Sequence, residues 1–105
     1  MKVKSFADMP CYIAKSLDIV GPWWTLLIVR EALTGATRFK HFEKSLGIAK
    51  NTLTTRLNHM IDNGLIERVA AQDGSKFDEY RLTEKGRALG PVLSNLQTWG
   101  KTWLD

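Results

Sequence analysis

The chain has 105 residues, of which 44% are hydrophobic and 25% are charged, a composition that predicts one soluble domain spanning residues 1–105. The longest apolar run, residues 23–29, is far shorter than the roughly 20 residues that cross a bilayer, and no apolar segment follows the basic start as in a secretory signal. One cysteine and two scattered histidines form neither an intrachain disulfide nor a zinc finger. We therefore expect a cytoplasmic protein that does not contact membranes and holds no metal or cofactor.

The positive charge is concentrated in one segment of the chain. The net charge is +4 at pH 7, and residues 38–59 hold five basic residues against Glu43 alone. The remaining residues contain equal numbers of acidic and basic side chains, so this segment carries the whole excess. Taken alone, the pattern favours a nucleic-acid contact no more than an ordinary solvated helix face.

Four helices are predicted in the first two thirds of the chain, at residues 10–17, 23–33, 38–46 and 50–63. Asp8 is the candidate cap of the first helix, and Gly21-Pro22 separates it from the second. The second helix is apolar on nearly every side, so we expect it at the centre of the core. Gly47 and Gly64 end the third and fourth helices.

A β-hairpin and a final helix are predicted after residue 64. Two β-favouring runs, residues 65–69 and 77–82, flank a Gln-Asp-Gly-Ser turn at residues 72–75. Thr83 begins the last helix, in which Gly90-Pro91 is expected to introduce a kink without ending it. The fold class is therefore mainly α with a small β-hairpin, in the order α-α-α-α-β-β-α of a winged helix-turn-helix.

The third and fourth helices, joined by the turn at Gly47, are predicted to form a helix-turn-helix unit. In DNA-binding units of this kind, the second helix enters the major groove. With Leu53, Leu57 and Met60 toward the core, the opposite face of that helix is polar. Asparagine pairs with adenine, a threonine methyl group contacts thymine, and lysine and arginine neutralise phosphates. An ordinary polar face is the alternative, but together with the charge pattern and the hairpin this face predicts duplex-DNA binding. The predicted contacts are Arg38, Lys40, Lys50, Asn51, Thr52, Thr54, Thr55 and Arg56.

The hairpin corresponds to the wing of such a unit. Lys76 lies near its tip and is predicted to contact phosphates or the minor groove, with Arg68 and Arg81 on the strands. Asp73 and Asp78 oppose this contact. We therefore expect the wing to position the protein on DNA more than to read bases.

An ordered series of short motifs resembles the HxlR family of bacterial regulators, which have a MarR-like winged helix. The series comprises Cys11, Gly21, WTLLI at 24–28, GATRF at 35–39, GI at 47–48, LTTRL at 53–57, NGLIER at 63–68, YRLTEKG at 80–86 and WG at 99–100. The resemblance implies homodimers that bind palindromic operators near their own genes, as repressors or activators. Two positions depart from the family: Trp23 stands where a basic residue is common, and Ala49 where serine often caps the recognition helix.

Both ends of the chain are predicted to form a dimer interface. After Pro91, apolar residues recur at three- and four-residue steps, and an aromatic-rich terminal helix in so small a domain favours a partner surface over the core. The resemblance places the interface on this helix and on the first helix. The predicted interface residues are Ile13, Leu17, Leu89, Leu93, Leu96, Trp99 and Trp103.

Cys11 is a candidate redox sensor. It lies at the start of a helix with Lys15 one turn along, and both the helix N-terminus and the ammonium favour the thiolate form. Some members of the family that the chain resembles sense oxidants or electrophiles with a cysteine here. The alternative is a small buried hydrophobe, as most free cysteines are.

Other functions are also open at this stage. A small aromatic ligand among Trp23, Trp24, Trp99 and Trp103 is a rival trigger, although tryptophans are usually core residues. A winged helix that binds a protein instead of DNA is a rival function. Catalysis is not predicted, because no metal spacing, phosphate loop or nucleophile elbow is present.

Overall fold

The computed structural model describes Ser5 and residues 7–104. This part of the chain forms a two-stranded antiparallel sheet and the helices around it. None of these helices combines the length and apolar character that a membrane crossing requires. The elements are α1 (Tyr12–Val20), α2 (Thr25–Leu33), α3 (Phe39–Leu46), α4 (Lys50–Asp62), β1 (Ile66–Ala70), β2 (Asp78–Leu82), α5 (Glu84–Arg87) and α6 (Gly90–Trp103). The predicted order is confirmed, except that the last predicted helix is two helices.

The core lies between α2, α3, α4 and the base of the hairpin. The residues predicted from helical periodicity to face inward, Leu53, Leu57 and Met60, are all buried, and Phe42 packs with them. α2 contributes to the core, as expected from its apolar residues, but it is not buried on every side. Only its face with Thr25, Ile28 and Val29 is buried, and Leu27 and Leu33 are exposed. α2 is packed by α3, α5, α6 and β2, but these elements leave Leu27 and Leu33 in water, and composition does not reveal which side of a helix its neighbours leave uncovered.

The first two helices begin later than predicted. Cys11, and not Asp8, is the N-cap residue of α1, and its side chain makes no capping hydrogen bond. α2 begins at Thr25 because the preceding Trp24 adopts a left-handed conformation with φ of 82°. Such a conformation costs a non-glycine residue roughly 1–2 kcal/mol, so the packing around Trp24 must offset it. Trp24 is half-buried against the core.

The helix-turn-helix connection follows the prediction closely. Gly47 has φ of 64°, the left-handed conformation that glycine adopts without strain, and its N–H donates to the Glu43 carbonyl at 3.0 Å. The chain then extends through Ala49, and α4 begins at Lys50. The absence of the serine cap common in the HxlR family therefore does not move the start of the recognition helix.

The hairpin pairs Ile66 with Leu82 and Arg68 with Tyr80. Each strand begins one residue later along the chain than predicted. Its attachment to the helices explains the shift. The Leu65 N–H donates to the Met60 carbonyl at 2.9 Å, which continues the end of α4 and removes Leu65 from the strand. The Tyr80 N–H donates to the Thr37 carbonyl at 2.7 Å, so β2 is held against the connection between α2 and α3.

The C-terminal segment breaks where a kink was predicted. Thr83 caps α5 as expected, because its hydroxyl accepts from the Gly86 N–H at 3.1 Å. α5 ends at Arg87, and α6 begins at Gly90 with proline in its first turn. Proline is favoured there because the first N–H groups of a helix have no intrahelical partner.

Candidate nucleic-acid interface

One face of α4 presents the polar residues that the sequence predicted to contact DNA. Lys50, Asn51, Thr52, Thr54 and Thr55 are all exposed, opposite the buried leucines of the same helix. The N-cap residue Ala49 has no side chain that could cap α4, so it leaves the first N–H groups of the helix available to an acceptor. The Thr55 hydroxyl donates to the Asn51 carbonyl at 3.0 Å, which commits its proton to the helix and leaves its methyl group for an apolar contact.

Arg56 differs from the other predicted contacts. It is half-buried, and its Nη1 atom is buried without a hydrogen-bond partner among the described residues. His59, one turn further on, is also half-buried and has an unpartnered Nδ1. The sequence placed Arg56 on the solvent-facing flank of the helix. The structure places part of its guanidinium inside instead, so the phosphate contact stays a prediction that depends on the other guanidinium nitrogens.

Arg38 ties the helix-turn-helix unit to the wing. Its Nη2 atom lies 2.7 Å from a carboxylate oxygen of Asp73, and its Nη1 donates to the Ser75 hydroxyl at 3.0 Å. Its Nε lies 3.9 Å from Glu79 on β2. The sequence predicted a DNA contact for Arg38, but the guanidinium is engaged with the protein's own wing. We call Arg38, Asp73, Ser75 and Glu79 the wing clamp.

Sequence reasoning missed the wing clamp. Arg38 lies 35 to 41 positions before the other three members, and no local period connects it to them. The sequence shows a basic residue before α3 and a surplus of acidic residues in the wing. These opposite charges are compatible with many ion pairs, so they do not indicate which residues pair. The pKa values of both carboxyl groups in the clamp are lowered. The Ser75 N–H and then Arg38 lower the pKa of Asp73, and hydrogen bonds from Arg81 and Thr37 lower that of Glu79.

The acidic residues expected to oppose DNA are paired within the wing. Asp78 lies 2.9 Å from the Arg68 guanidinium, and Glu79 lies 2.8 Å from that of Arg81. With Asp73 held by Arg38, each of these carboxylates has a cation beside it. Lys76 near the tip is exposed, and its ammonium lies 5.7 Å from the centre of the Phe77 ring. The electrostatic objection to a wing–phosphate contact is therefore weaker than the sequence indicated.

The sequence and the fold match known proteins. A family model described as HxlR-like helix-turn-helix matches residues 19–105. The chain belongs to the HxlR-like helix-turn-helix family. Its resemblance to that family, inferred from short motifs, is thereby confirmed, and the fold is the winged helix of helix-turn-helix transcriptional regulators.

The HxlR-like chain has relatives with regulator names. The uncharacterised HTH-type transcriptional regulator Rv3095 of Mycobacterium tuberculosis is 41% identical over 92 residues, which are 88% of this chain and 58% of Rv3095. The chain thus spans less than two thirds of that relative. The crystal structure of PA1607, a candidate transcription factor, has a TM-score of 0.91 and 45% identity, and the match covers 97% of this chain and 71% of PA1607.

Two further structural neighbours are a redox regulator and a transcriptional regulator whose structure holds a bound quinone. The redox regulator HypR in its reduced form has a TM-score of 0.81 and 27% identity, with 90% of this chain and 95% of HypR covered. The quinone-bound YodB from Bacillus subtilis has a TM-score of 0.75 and 29% identity, with 90% of this chain and 100% of YodB covered.

The predicted interface residues fall into two groups. Ile13 and Leu17 of α1 and three residues of α6 (Leu96, Trp99 and Trp103) are exposed, as an unpaired interface requires. Leu89 and Leu93 are instead half-buried against the core. They flank the start of α6, and this helix contacts α2. The first part of the apolar stripe therefore packs against the core, and the later part is exposed.

The two candidate triggers are placed differently from each other. Cys11 is exposed at the start of α1, and the Lys15 ammonium lies over the Tyr12 ring, 5.3 Å from its centre. Of the four tryptophans, only Trp24 is partly buried against the core. The other three tryptophans are exposed: Trp23, Trp99 and Trp103.

Proposed function

We propose that the chain is a sequence-specific DNA-binding transcriptional regulator that acts in the cytoplasm as a single winged helix-turn-helix unit, residues 1–105. The exposed polar face of α4 carries this proposal. A helix packed on one side by Leu53 and Leu57, with Asn51 and threonines on the other, has the chemistry for base contacts in the major groove. Lys50 and the uncapped N-terminus supply phosphate contacts, and the wing adds Lys76.

We propose further that two copies bind a palindromic operator, as a repressor or an activator. The exposed part of the stripe on α1 and α6 supports this, because Ile13 is 73% exposed and Trp103 is 71% exposed. Side chains of this size are costly to leave in water, and a second copy would cover them. A two-fold dimer would present two recognition helices to half-sites about 10 base pairs apart.

Fluorescence anisotropy on the DNA upstream of the gene, at physiological salt, tests this function. Specific binding is expected to survive roughly a thousandfold excess of random duplex. Asn51→Ala should weaken binding by about 1–3 kcal/mol at one base position of each half-site. Lys50→Ala should weaken binding to all DNA sequences alike and reduce the salt slope by about one.

Equal losses of affinity on specific and random DNA for both variants would contradict the base contact assigned to Asn51. Complete removal by random duplex would favour a protein partner for this winged helix.

Thiol chemistry at Cys11 is the regulatory mechanism we favour. The thiol is exposed at the start of α1, next to the proposed dimer surface, and the structural neighbour HypR is a redox regulator. An oxidant such as diamide would take two electrons and two protons from two Cys11 thiols and leave an intersubunit disulfide. Diamide should then change DNA affinity in the native protein and not in Cys11→Ser. An identical response in both would remove the sensor role.

A further inference from the structure

A groove of about 420 Å³ separates the start of α3 from β2 of the wing. Its apolar lining comes from three aromatic side chains, Phe39, Phe77 and Tyr80. Phe77 was predicted to lie within a strand, but it precedes β2 and is 63% exposed. An exposed phenylalanine beside two other rings leaves aromatic surface in water that a flat ligand would cover.

The charges around the groove favour an anion. Arg38, Lys40 and Arg68 line it, and Asp78 is the acidic side chain among the lining residues. Asp78 is already neutralised, because it lies 2.9 Å from the Arg68 guanidinium. Lys40 is exposed and belongs to none of the ion pairs formed within the described residues. Its ammonium is therefore the cation that an incoming anion would meet without displacing a protein carboxylate.

The size of the groove restricts the occupant. About 420 Å³ is within the range of roughly 300–1,000 Å³ that small-molecule sites occupy. It holds one or two rings and is far too small for a helix of a second copy. We propose that this groove binds a small aromatic carboxylate, with its ring against Phe77 and Phe39 and its carboxylate at Lys40.

Occupancy would act on DNA binding in two ways, and this consequence rests on the proposed function. Lys40 is a predicted phosphate contact, which a bound carboxylate would neutralise. Arg38 lines the same groove and holds the wing tip through Asp73 and Ser75. A ligand here is therefore in contact with both the helix-turn-helix unit and the clamp that orients the wing, and it should lower the affinity for DNA.

Fluorine NMR on the full chain labelled with fluorophenylalanine tests binding without DNA, with benzoate as the probe. The resonances of Phe39 and Phe77 should shift in a saturable manner, whereas that of the buried core residue Phe42 should not. Phe77→Leu assigns one resonance. Lys40→Ala should weaken benzoate binding at least about fivefold, whereas Lys44→Ala, an exposed lysine on the same helix that does not line the groove, should leave it unchanged.

Two other probes separate the contributions of ring and charge. Cyclohexanecarboxylate keeps the anion without the aromatic ring, and benzyl alcohol keeps the ring without the charge. Each should bind at least about fivefold more weakly than benzoate. No saturable shift below about 10 mM benzoate, equal binding of cyclohexanecarboxylate, or equal loss in the Lys44 variant would overturn the site.

The regulatory consequence is measured separately, by anisotropy on DNA with and without saturating benzoate. Benzoate is expected to lower the DNA affinity of the native protein, and to lower it less in Lys40→Ala at the same benzoate concentration. Benzoate binding without any effect on DNA affinity would overturn the regulatory role. Failure of DNA binding in the absence of benzoate would count against the proposed function alone, because the NMR titration contains no DNA.

Discussion

The wing clamp allows a test of how Arg38 contributes to DNA binding. In the structure its guanidinium is held by Asp73 at 2.7 Å, by Ser75 at 3.0 Å and by Glu79 at 3.9 Å. Its side chain is 31% exposed. We predict that Arg38→Ala acts by releasing the wing, and therefore by removing the phosphate contact of Lys76 rather than one of its own.

The size of the effect follows from counterion release. Each phosphate contact contributes about 0.9 to the slope of log affinity against log salt concentration, so one lost contact changes the salt response about 3.5-fold between 50 and 200 mM. If Arg38 acts through the wing, Arg38→Ala, Lys76→Ala and the double variant should each lose about one unit of slope. If Arg38 contacts a phosphate itself, the double variant should lose about two units.

Anisotropy titrations at several salt concentrations measure these slopes. Arg30→Ala is the matched control, because Arg30 is an exposed arginine of α2 that pairs with its neighbour Glu31 and lies outside the wing clamp. Amide hydrogen exchange should show faster exchange in the wing of Arg38→Ala, with the core unchanged. Two results would contradict an action of Arg38 through the wing: losses of slope that add up in the double variant, or unchanged hydrogen exchange in the wing of Arg38→Ala.

The remaining predictions concern stability, pH and assembly. Gly86→Ala should destabilise the fold by several kcal/mol, because a Cβ there would overlap the Leu65 carbonyl, whereas Gly100→Ala, which meets only ordinary contacts, should be neutral or stabilising by about 1 kcal/mol in thermal melts. The pKa values of Asp73 and Glu79 are lowered in the folded state, so their contribution to wing order should be complete at neutral pH and be lost as the pH falls below about 4. Hydrogen exchange in the wing at pH 7 and pH 3 checks this, and equal protection at both would contradict it. Trp99→Arg should convert the proposed dimer into a monomer in analytical ultracentrifugation, and an unchanged dimer would place the interface elsewhere.

The sequence was most informative where structure is locally determined. The bounds of α3 and α4 follow from an apolar repeat and from glycine at the helix ends, and both features act over a few residues. The polar face of α4 followed directly, because fixing Leu53, Leu57 and Met60 inward determines which side chains point outward. The candidate DNA contacts on α4 could therefore be predicted with little tertiary information.

Features that depend on contacts between distant segments were not predictable. The left-handed Trp24 costs energy locally and is held by packing that no local pattern records. The start of β1 depends on a hydrogen bond from Leu65 back to Met60, which competes with the strand for the same residue. The burial of Leu89 and Leu93 depends on where α6 meets α2, although their spacing matches that of the exposed Leu96.

Charge shows why sequence position is a poor substitute for position in space. The whole excess charge was assigned to residues 38–59, and every basic residue there except Lys44 was predicted to contact DNA. In the folded chain Arg38 belongs electrostatically to the wing, where it balances Asp73. The helix-turn-helix segment therefore offers one cation fewer than its sequence indicates, and the wing opposes DNA less than its acidic residues indicate. Because Asp73 is paired with Arg38, its carboxylate opposes the exposed Lys76 less than the sequence indicates, and both α4 and the hairpin offer an exposed lysine for the proposed phosphate contacts.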